Sequence, residues 1–375
     1  MRAIGTMSGT SMDGVDVALI ETDGMALVDR GPAASLSLAY SPNERKVLFD
    51  AVAIALDINS PECLSHPTVL EATQISTQRH AEALVRLLDR LDSPAEMVGY
   101  HGQTILHRPD PKNPSEAFTL QVGDPQVLAD ATGLPTVYDF RGADVGAGGQ
   151  GAPLAPLYHQ ALLTGRTELP ALIVNLGGIA NITVVRDDDP THLMAADIGP
   201  ANVYLDDEMM RRKHVPFDEG GRLAAAGSPD EAVIDTFFDQ PFYQSASAGP
   251  ASLDRYGLVA PDVAHLSNED AMATLSELTV RSVERAVGTL DDQPRSVFVA
   301  GGGARNPHLM SRLSAVLPCP VEALDALGAS AAMLEAEAFA YLAVRHIKKL
   351  PLTYPNTTGA PRPLQGGRLV RPKGY

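Results

Sequence analysis

The chain has 375 residues, a formal net charge of −17 and 45% apolar residues. At this length a single hydrophobic core has usually stopped growing, so two domains are expected. The acidic balance excludes a nucleic-acid-binding face, which needs clustered Lys and Arg, but not a nucleotide ligand, whose phosphates backbone amides and a metal ion can hold.

Cys63 and Cys319 stand far apart and in no metal-ligand spacing, so a disulfide framework is not expected and a reducing cytoplasm is. The opening residues Met1 to Ser8 run into a patterned segment rather than an apolar signal region. There is no run of about 18 apolar residues of the kind a membrane span needs.

Residues Ala3 to Glu21 read as strand, small-residue turn, strand, the second arm being the β-branched-rich Val15–Ile20. Leu84, Leu87, Leu88 and Leu91 share one face at helical spacing. Short segments around Met97–Gly102 and Phe118–Gly123 follow, then a glycine-rich passage from Arg141 to Gly151. A second strand-turn-strand begins at Ala171: Leu172–Leu176 is apolar, Gly177-Gly178 turns, and Ile182–Val185 returns. Two halves that each open with a glycine-rich hairpin predict a duplicated α/β domain with a cleft between the copies. Ser296–Ala300 reads as a strand ending in Gly301–Gly303, with a helix from Pro307 through Leu317 and an Ala/Glu-rich helix over roughly Ala329–Ile347. The Pro-, Gly- and Arg-rich tail, Pro351–Tyr375, reads as an extended segment lying on the first domain. The expected domains are 1–140 with 348–375, and 141–347.

Four constellations carry chemistry. Gly5-Thr6-Met7-Ser8-Gly9-Thr10-Ser11-Met12-Asp13-Gly14-Val15-Asp16 offers close backbone approach, free amides and hydroxyls, which suits phosphates, and Asp13 or Asp16 suits a magnesium ion or its waters. It is neither a Walker nor a Rossmann fingerprint, and a polar tight hairpin is the competing reading. Asn175-Leu176-Gly177-Gly178-Ile179-Ala180-Asn181 repeats the logic, and is either a second phosphate hairpin or a plain turn. Gly301-Gly302-Gly303-Ala304-Arg305-Asn306 either receives adenine and ribose against bare backbone or merely joins strand to helix. Asp197, read as following a strand and preceding Gly199-Pro200, is either a general base or a helix cap.

The opening motif resembles the signature of the anhydro-N-acetylmuramic acid kinase family. So do His101-Gly102-Gln103-Thr104, Thr119-Leu120-Gln121-Val122-Gly123-Asp124-Pro125, Asp139-Phe140-Arg141, Gly148 to Leu154, Asn175 to Asn181, Gly301 to Asn306 and Thr358-Gly359-Ala360. The motifs run in order along nearly the whole chain. The resemblance implies an actin/hexokinase-like fold of two ribonuclease-H-like domains hinged about an ATP cleft. It implies ATP and magnesium as cofactors, an anhydro sugar as substrate, no nucleic-acid or membrane partner, a homodimer, and a role in cell-wall recycling in the cytoplasm. Residue by residue, it makes Asp197 the general base and gives Glu335, otherwise readable as a solvent-facing helix glutamate, the task of orienting the attacking water. Gly9, Thr10, Ser11, Met12, Asp13, Gly14, Val15 and Asp16 would hold ATP, with Asp13 near the metal. Asn175, Gly177, Gly178, Asn181, Gly301, Gly302, Gly303 and Asn306 would complete the nucleotide contacts. His101, Gln103, Thr104, Arg141 and Asp144 would meet the sugar.

Three departures accompany the resemblance. Ala201 replaces a glycine of the family's Gly-Pro-Gly-Asn, which costs about 1 kcal/mol if that position needs a positive φ. Ser247 to Arg255 stands where the family has Lys-Ser-Thr-Gly-Arg-Glu, and Tyr341 where it tends to have Trp. The altered stretch motivates one alternative, a kinase for another anhydro or simple sugar; a non-catalytic ATP sensor of the same superfamily is the second. Retention of both Asp197 and Glu335 argues against the sensor.

Overall fold

The computed structural model describes residues 1–28, 34–244 and 258–374, so the divergent stretch at 247–255 lies outside the described residues. The chain divides into two compact units, Met1–Leu162 with Gly328–Tyr375, and Leu163–Leu327.

In the first unit β1 (Arg2–Ser8) and β2 (Gly14–Glu21) form an antiparallel hairpin, extended by β3 (Ala34–Ala39). On the other side β4 (Met97–Arg108) runs parallel to β1, and β5 (Phe118–Val122) folds back on β4. Beyond them lie β6 (Thr136–Tyr138), parallel to β4, and β12 (Arg368–Val370), through which the tail joins this sheet antiparallel to β6.

In the second unit β7 (Ala171–Leu176), β8 (Ile179–Val185) and β9 (Met194–Pro200) make an antiparallel meander. β10 (Ser296–Ala300) lies parallel to β7, and β11 (Val321–Ala323) parallel to β10. The strand orders β6-β4-β1-β2-β3 and β11-β10-β7-β8-β9 are therefore the same topology used twice. This is the ribonuclease-H-like arrangement, doubled as in the actin/hexokinase-like class. The near-continuous apolar run of β7 reflects a strand covered on both faces.

Alternation along β2 assigns the two faces of the first sheet. Val15, Val17 and Leu19 pack with Leu48 of the helix Pro42–Ile58 and Leu84 and Leu87 of the helix Pro67–Leu88. Leu88 and Leu91 pack partly buried against the same core, although the helix ends at Leu88. Ala18 and Met7 face the other way, toward Met333 and Ala336 at the start of the helix Leu334–Ile347.

That helix begins at Leu334 rather than near Ala329 and belongs to the first unit, as do residues 141–162; both differ from the expected boundaries. For the helix the reason is steric. Gly5 and Gly99 sit opposite each other on β1 and β4 and leave the sheet bare there. A Cβ on Gly5 would stand 1.8 Å from the Ala336 carbonyl oxygen, and one on Gly99 2.1 Å from that of Phe339. The helix backbone thus lies directly on the sheet, through its alanines.

The described residues of the second unit pack into two clusters. Leu172, Val174, Ile182 and Val299 pack beneath Leu309 and Leu313, while Leu205, Met209, Phe237 and Leu275 form a separate helical cluster.

Candidate functional site

The β1–β2 hairpin closes with a turn in which the Met12 amide donates to the Gly9 carbonyl at 3.2 Å. Thr10, Ser11 and Asp13 are exposed, whereas Met12 and Val15 send their side chains into the core, leaving only backbone for a ligand. A Cβ on Gly9 would meet nothing nearer than 3.9 Å, so the outer side of the turn is open. Arg45, which sequence reasoning passed over, clamps this turn: it pairs with Asp13 at 2.8 Å and donates to the Ser11 carbonyl at 2.9 Å.

Asp16 accepts a hydrogen bond from Ser37, and burial, with the Asp13 charge as a smaller contribution, pushes its carboxyl up. Glu335, in the first turn of the helix Leu334–Ile347, keeps contact with solvent, yet the protein around it raises its carboxyl. The Arg141 charge opposes that rise and the Asp16 charge adds to it. Asp13, Asp16, Glu335, Arg45 and Arg141 thus form one charged group within the first unit. Among the described residues no set of three His, Cys, Asp or Glu side chains is arranged to hold a metal ion by itself.

Several residues expected to meet the sugar are instead occupied within the protein. His101 is buried, its Nε2 accepting from Arg141 Nε at 2.9 Å and its Nδ1 facing the Gly102 carbonyl at 2.9 Å. Burial first and the Arg141 charge second hold it well below the usual histidine range, so it is a neutral orienter of Arg141. Arg141 also donates to the Gly151 carbonyl at 2.7 Å. Asp144 is buried, accepting from the Gly151 amide at 2.6 Å and from Thr358 Oγ1 at 2.6 Å, which ties the tail's Thr358 motif to the glycine-rich passage. Gln103 is fully buried. Thr104 keeps partial exposure and accepts from Gln121 at 3.2 Å. Short motifs do not show which member points outward, and for His101, Gln103 and Asp144 the packing turns it inward.

In the second unit the β7–β8 turn is capped by the helix Asn202–Lys213. The Ala201 and Asn202 amides donate to the Gly178 and Gly177 carbonyls, and Asn202 Nδ2 donates to the Leu176 and Gly177 carbonyls, both at 2.8 Å. Asn175 and Asn181 face each other across the hairpin. Asp197 lies inside β9, opposite Asn181, rather than after the strand, because the strand continues to Pro200. It is half-buried between the buried Ala196 and Ile198. Ala201 has φ −118°, so the missing glycine carries no left-handed strain.

Beside these elements is a cavity of about 220 Å³. Gly302, Arg305 and Asn306 line one side, Asn202, Leu205 and Asp206 a second, and Phe217, Asp218 and Gly220 a third. The three glycines of the strand end divide their work. Gly301 and Gly303 lack side chains because Asn175 and Leu176 press on them, while Gly302 opens to the cavity. Asn306 also caps the helix Pro307–Val316 through the His308 and Leu309 amides. Phe217 and Asp206 were missed in sequence because no motif contains them. Phe217 is 55% exposed, an apolar surface that a flat ring can cover.

Burial, and then neighbouring Asp207, push the Asp206 carboxyl up to about 6. The folded state therefore holds this proton more tightly than the unfolded chain. The associated stability is present below the ordinary value of 3.8 and is lost as pH rises through about 6. The full displacement amounts to about 3 kcal/mol, which solvent at the cavity reduces to about 1 kcal/mol. Asp206→Asn is expected to raise the urea midpoint at pH 7.5 and to leave it nearly unchanged at pH 4. Equal shifts at both pH values would show that the carboxyl does not titrate this way.

The sequence model of the family described as anhydro-N-acetylmuramic acid kinase matches residues 1–371. The anhydro-N-acetylmuramic acid kinase of Nitrobacter winogradskyi is 44% identical, covering 99% of this chain and 100% of the relative. That of Azorhizobium caulinodans is 46% identical, with the same coverage of each. A solved ROK family glucokinase from Streptomyces griseus, in complex with glucose and AMPPNP, aligns at TM-score 0.42 and 11% identity over 91% of this chain and 99% of that one; it adds nothing to what the strand order establishes. With the doubled topology, the hairpin turns and a match of this extent together, the chain belongs to the anhydro-N-acetylmuramic acid kinase family.

Proposed function

We propose that this chain is an ATP-dependent kinase that opens 1,6-anhydro-N-acetylmuramic acid with water and phosphorylates its 6-oxygen in cell-wall recycling. The products are N-acetylmuramic acid 6-phosphate and ADP. The family match over residues 1–371 carries this reading.

The bond changes balance. Water adds to the anomeric carbon as the bond from that carbon to the 6-oxygen breaks. Asp197 takes the proton of the water, and the freed 6-oxygen attacks the γ-phosphorus while the bond to the ADP oxygen breaks. Glu335 orients the water, and its raised proton affinity suits a group that shares a proton. Arg141, steadied by His101, meets the sugar together with Thr104. Gly9 to Asp16 offer backbone amides and hydroxyls to the phosphates. Asn175, Gly177, Gly178 and Asn181 add backbone and amide contacts to the nucleotide. The cavity bounded by Gly302, Asn306 and Phe217 takes the adenosine.

Magnesium fits this donor set as a phosphate-borne ion rather than a protein-caged one. Such ions keep waters and need one or two carboxylates, and the mutual repulsion of Asp13 and Asp16 is what a cation relieves. When bound, it would neutralise charge developing on the transferred phosphoryl group.

The cytoplasm is the compartment we assign, on the family resemblance and on two cysteines that are both free. A homodimer follows only from the family resemblance, and light scattering tests it.

The deciding experiment incubates the chain with anhydromuramic acid and ATP in oxygen-18 water, quenched before anomeric exchange. One heavy oxygen on the sugar and a phosphate on its 6-oxygen are expected. A phosphorylated product without the label, or no product, overturns the reading.

A further inference from the structure

We propose that Gln103 is a positioning residue for the phosphate-binding turn Gly9–Met12, and not a sugar contact. The inference rests on the reading that this turn holds the nucleotide phosphates.

The geometry begins in strand register. β1 and β4 run in step to Thr6 and Tyr100, but the next pair is Ser8 with Gln103, so β4 carries an extra residue. Gly102 occupies this bulge at φ +78°, where a Cβ would stand 2.9 Å from the Val122 carbonyl oxygen. The bulge puts Gln103 opposite the end of β1, where the turn starts.

Both ends of the Gln103 amide are then used. Its Oε1 accepts from Ser8 Oγ at 2.6 Å, and its Nε2 lies 3.3 Å from the carbonyl oxygens of Gly9 and Thr104. Ser8 in turn accepts from the Tyr40 phenol at 3.2 Å. Burial pushes that phenol up to about 12, so it stays a donor at any working pH. Gln103 is 0% exposed, Ser8 2% and Tyr40 7%. A hydrogen-bond chain therefore runs from Tyr40 through Ser8 and Gln103 to the Gly9 carbonyl. The Gly9 carbonyl also accepts the Met12 amide that closes the turn. With its amide engaged inside the protein, Gln103 has neither the exposure nor the free donor a sugar needs. What it does is fix the direction of the Gly9 peptide, and with it the amides that follow.

Gln103→Met keeps the length of the side chain and removes its three hydrogen bonds; Ser8→Ala removes one link with less risk to folding. Affinity for a non-hydrolysable ATP analogue is measured by calorimetry without sugar, KM for anhydromuramic acid by steady-state kinetics at saturating ATP, and amide hydrogen exchange across residues 9–13. Gln103→Met is expected to weaken nucleotide binding about tenfold, Ser8→Ala about threefold, with sugar KM within about twofold of wild type. Exchange across the turn should rise in both variants. A raised sugar KM with unchanged nucleotide affinity overturns the proposal. So does unchanged nucleotide affinity with unchanged exchange in Ser8→Ala, which decides the matter even where Gln103→Met fails to fold. If wild-type protein binds the ATP analogue but phosphorylates no anhydro sugar, the functional reading fails while the nucleotide and exchange measurements still judge Gln103.

Discussion

Asp197→Asn is expected to lower kcat for anhydro-sugar phosphorylation by about 10³-fold while leaving nucleotide affinity within about twofold, since general-base catalysis contributes on this scale. The exchange removes the proton acceptor and keeps the shape of the side chain. Asp197 sits within β9, held by pairing with Asn181, and its neighbours Ala196 and Ile198 are buried, so the strand itself is not disturbed. Single-turnover phosphorylation, together with calorimetric titration of an ATP analogue, checks both halves of the expectation. Phosphorylation at the wild-type rate would remove Asp197 from the base role. A parallel loss of nucleotide affinity would make it a binding residue.

Gly5→Ala and Gly99→Ala are each expected to destabilise the first unit by about 3 kcal/mol or more, at or above the upper end of ordinary overpacking costs. Such costs arise when side chains yield to an added methyl, but here the obstacle is helix backbone. The new Cβ at residue 5 would meet the Ala336 oxygen and, at 2.4 Å, the Ala340 nitrogen, neither of which can rotate away. The helix Leu334–Ile347 has to lift, and Glu335 in its first turn moves with it. Because both substitutions push on the same helix, the double variant should cost less than the sum of the singles. Gly288→Ala is the control: a Cβ there meets nothing within 4 Å, so a change of no more than about 0.5 kcal/mol is expected. Urea unfolding with hydrogen exchange across β1 and β4 measures all four. Full stability in Gly5→Ala would mean that the helix does not rest on the sheet as described.

Both predictions concern residues that sequence alone reads unevenly. The hairpins at residues 3–21 and 171–185 were legible because short apolar, β-branched-rich runs broken by glycine constrain the backbone locally, and the repeated layout already pointed to two copies of one fold. Gly5 illustrates the limit. In the sequence it begins a phosphate-type motif, yet its lack of a side chain serves the approach of a helix more than 300 residues away in the chain. The long helix was recognised by composition but assigned to the wrong half, because an amphipathic pattern does not name the surface that will cover it.

The same division runs through the site. Order, spacing and residue type pointed to the family, to the doubled α/β topology and to turns of the kind that receive phosphates, since these depend on contacts between near neighbours or on motifs that survive as strings. Only the tertiary structure decided that Gln103, His101 and Asp144 face inward, that Arg45 clamps Asp13, and that Asp206 and Phe217 border a cavity. Those outcomes depend on which distant backbone carbonyl or charge arrives beside each side chain, and that is set by the packing of whole elements rather than by the residues on either side.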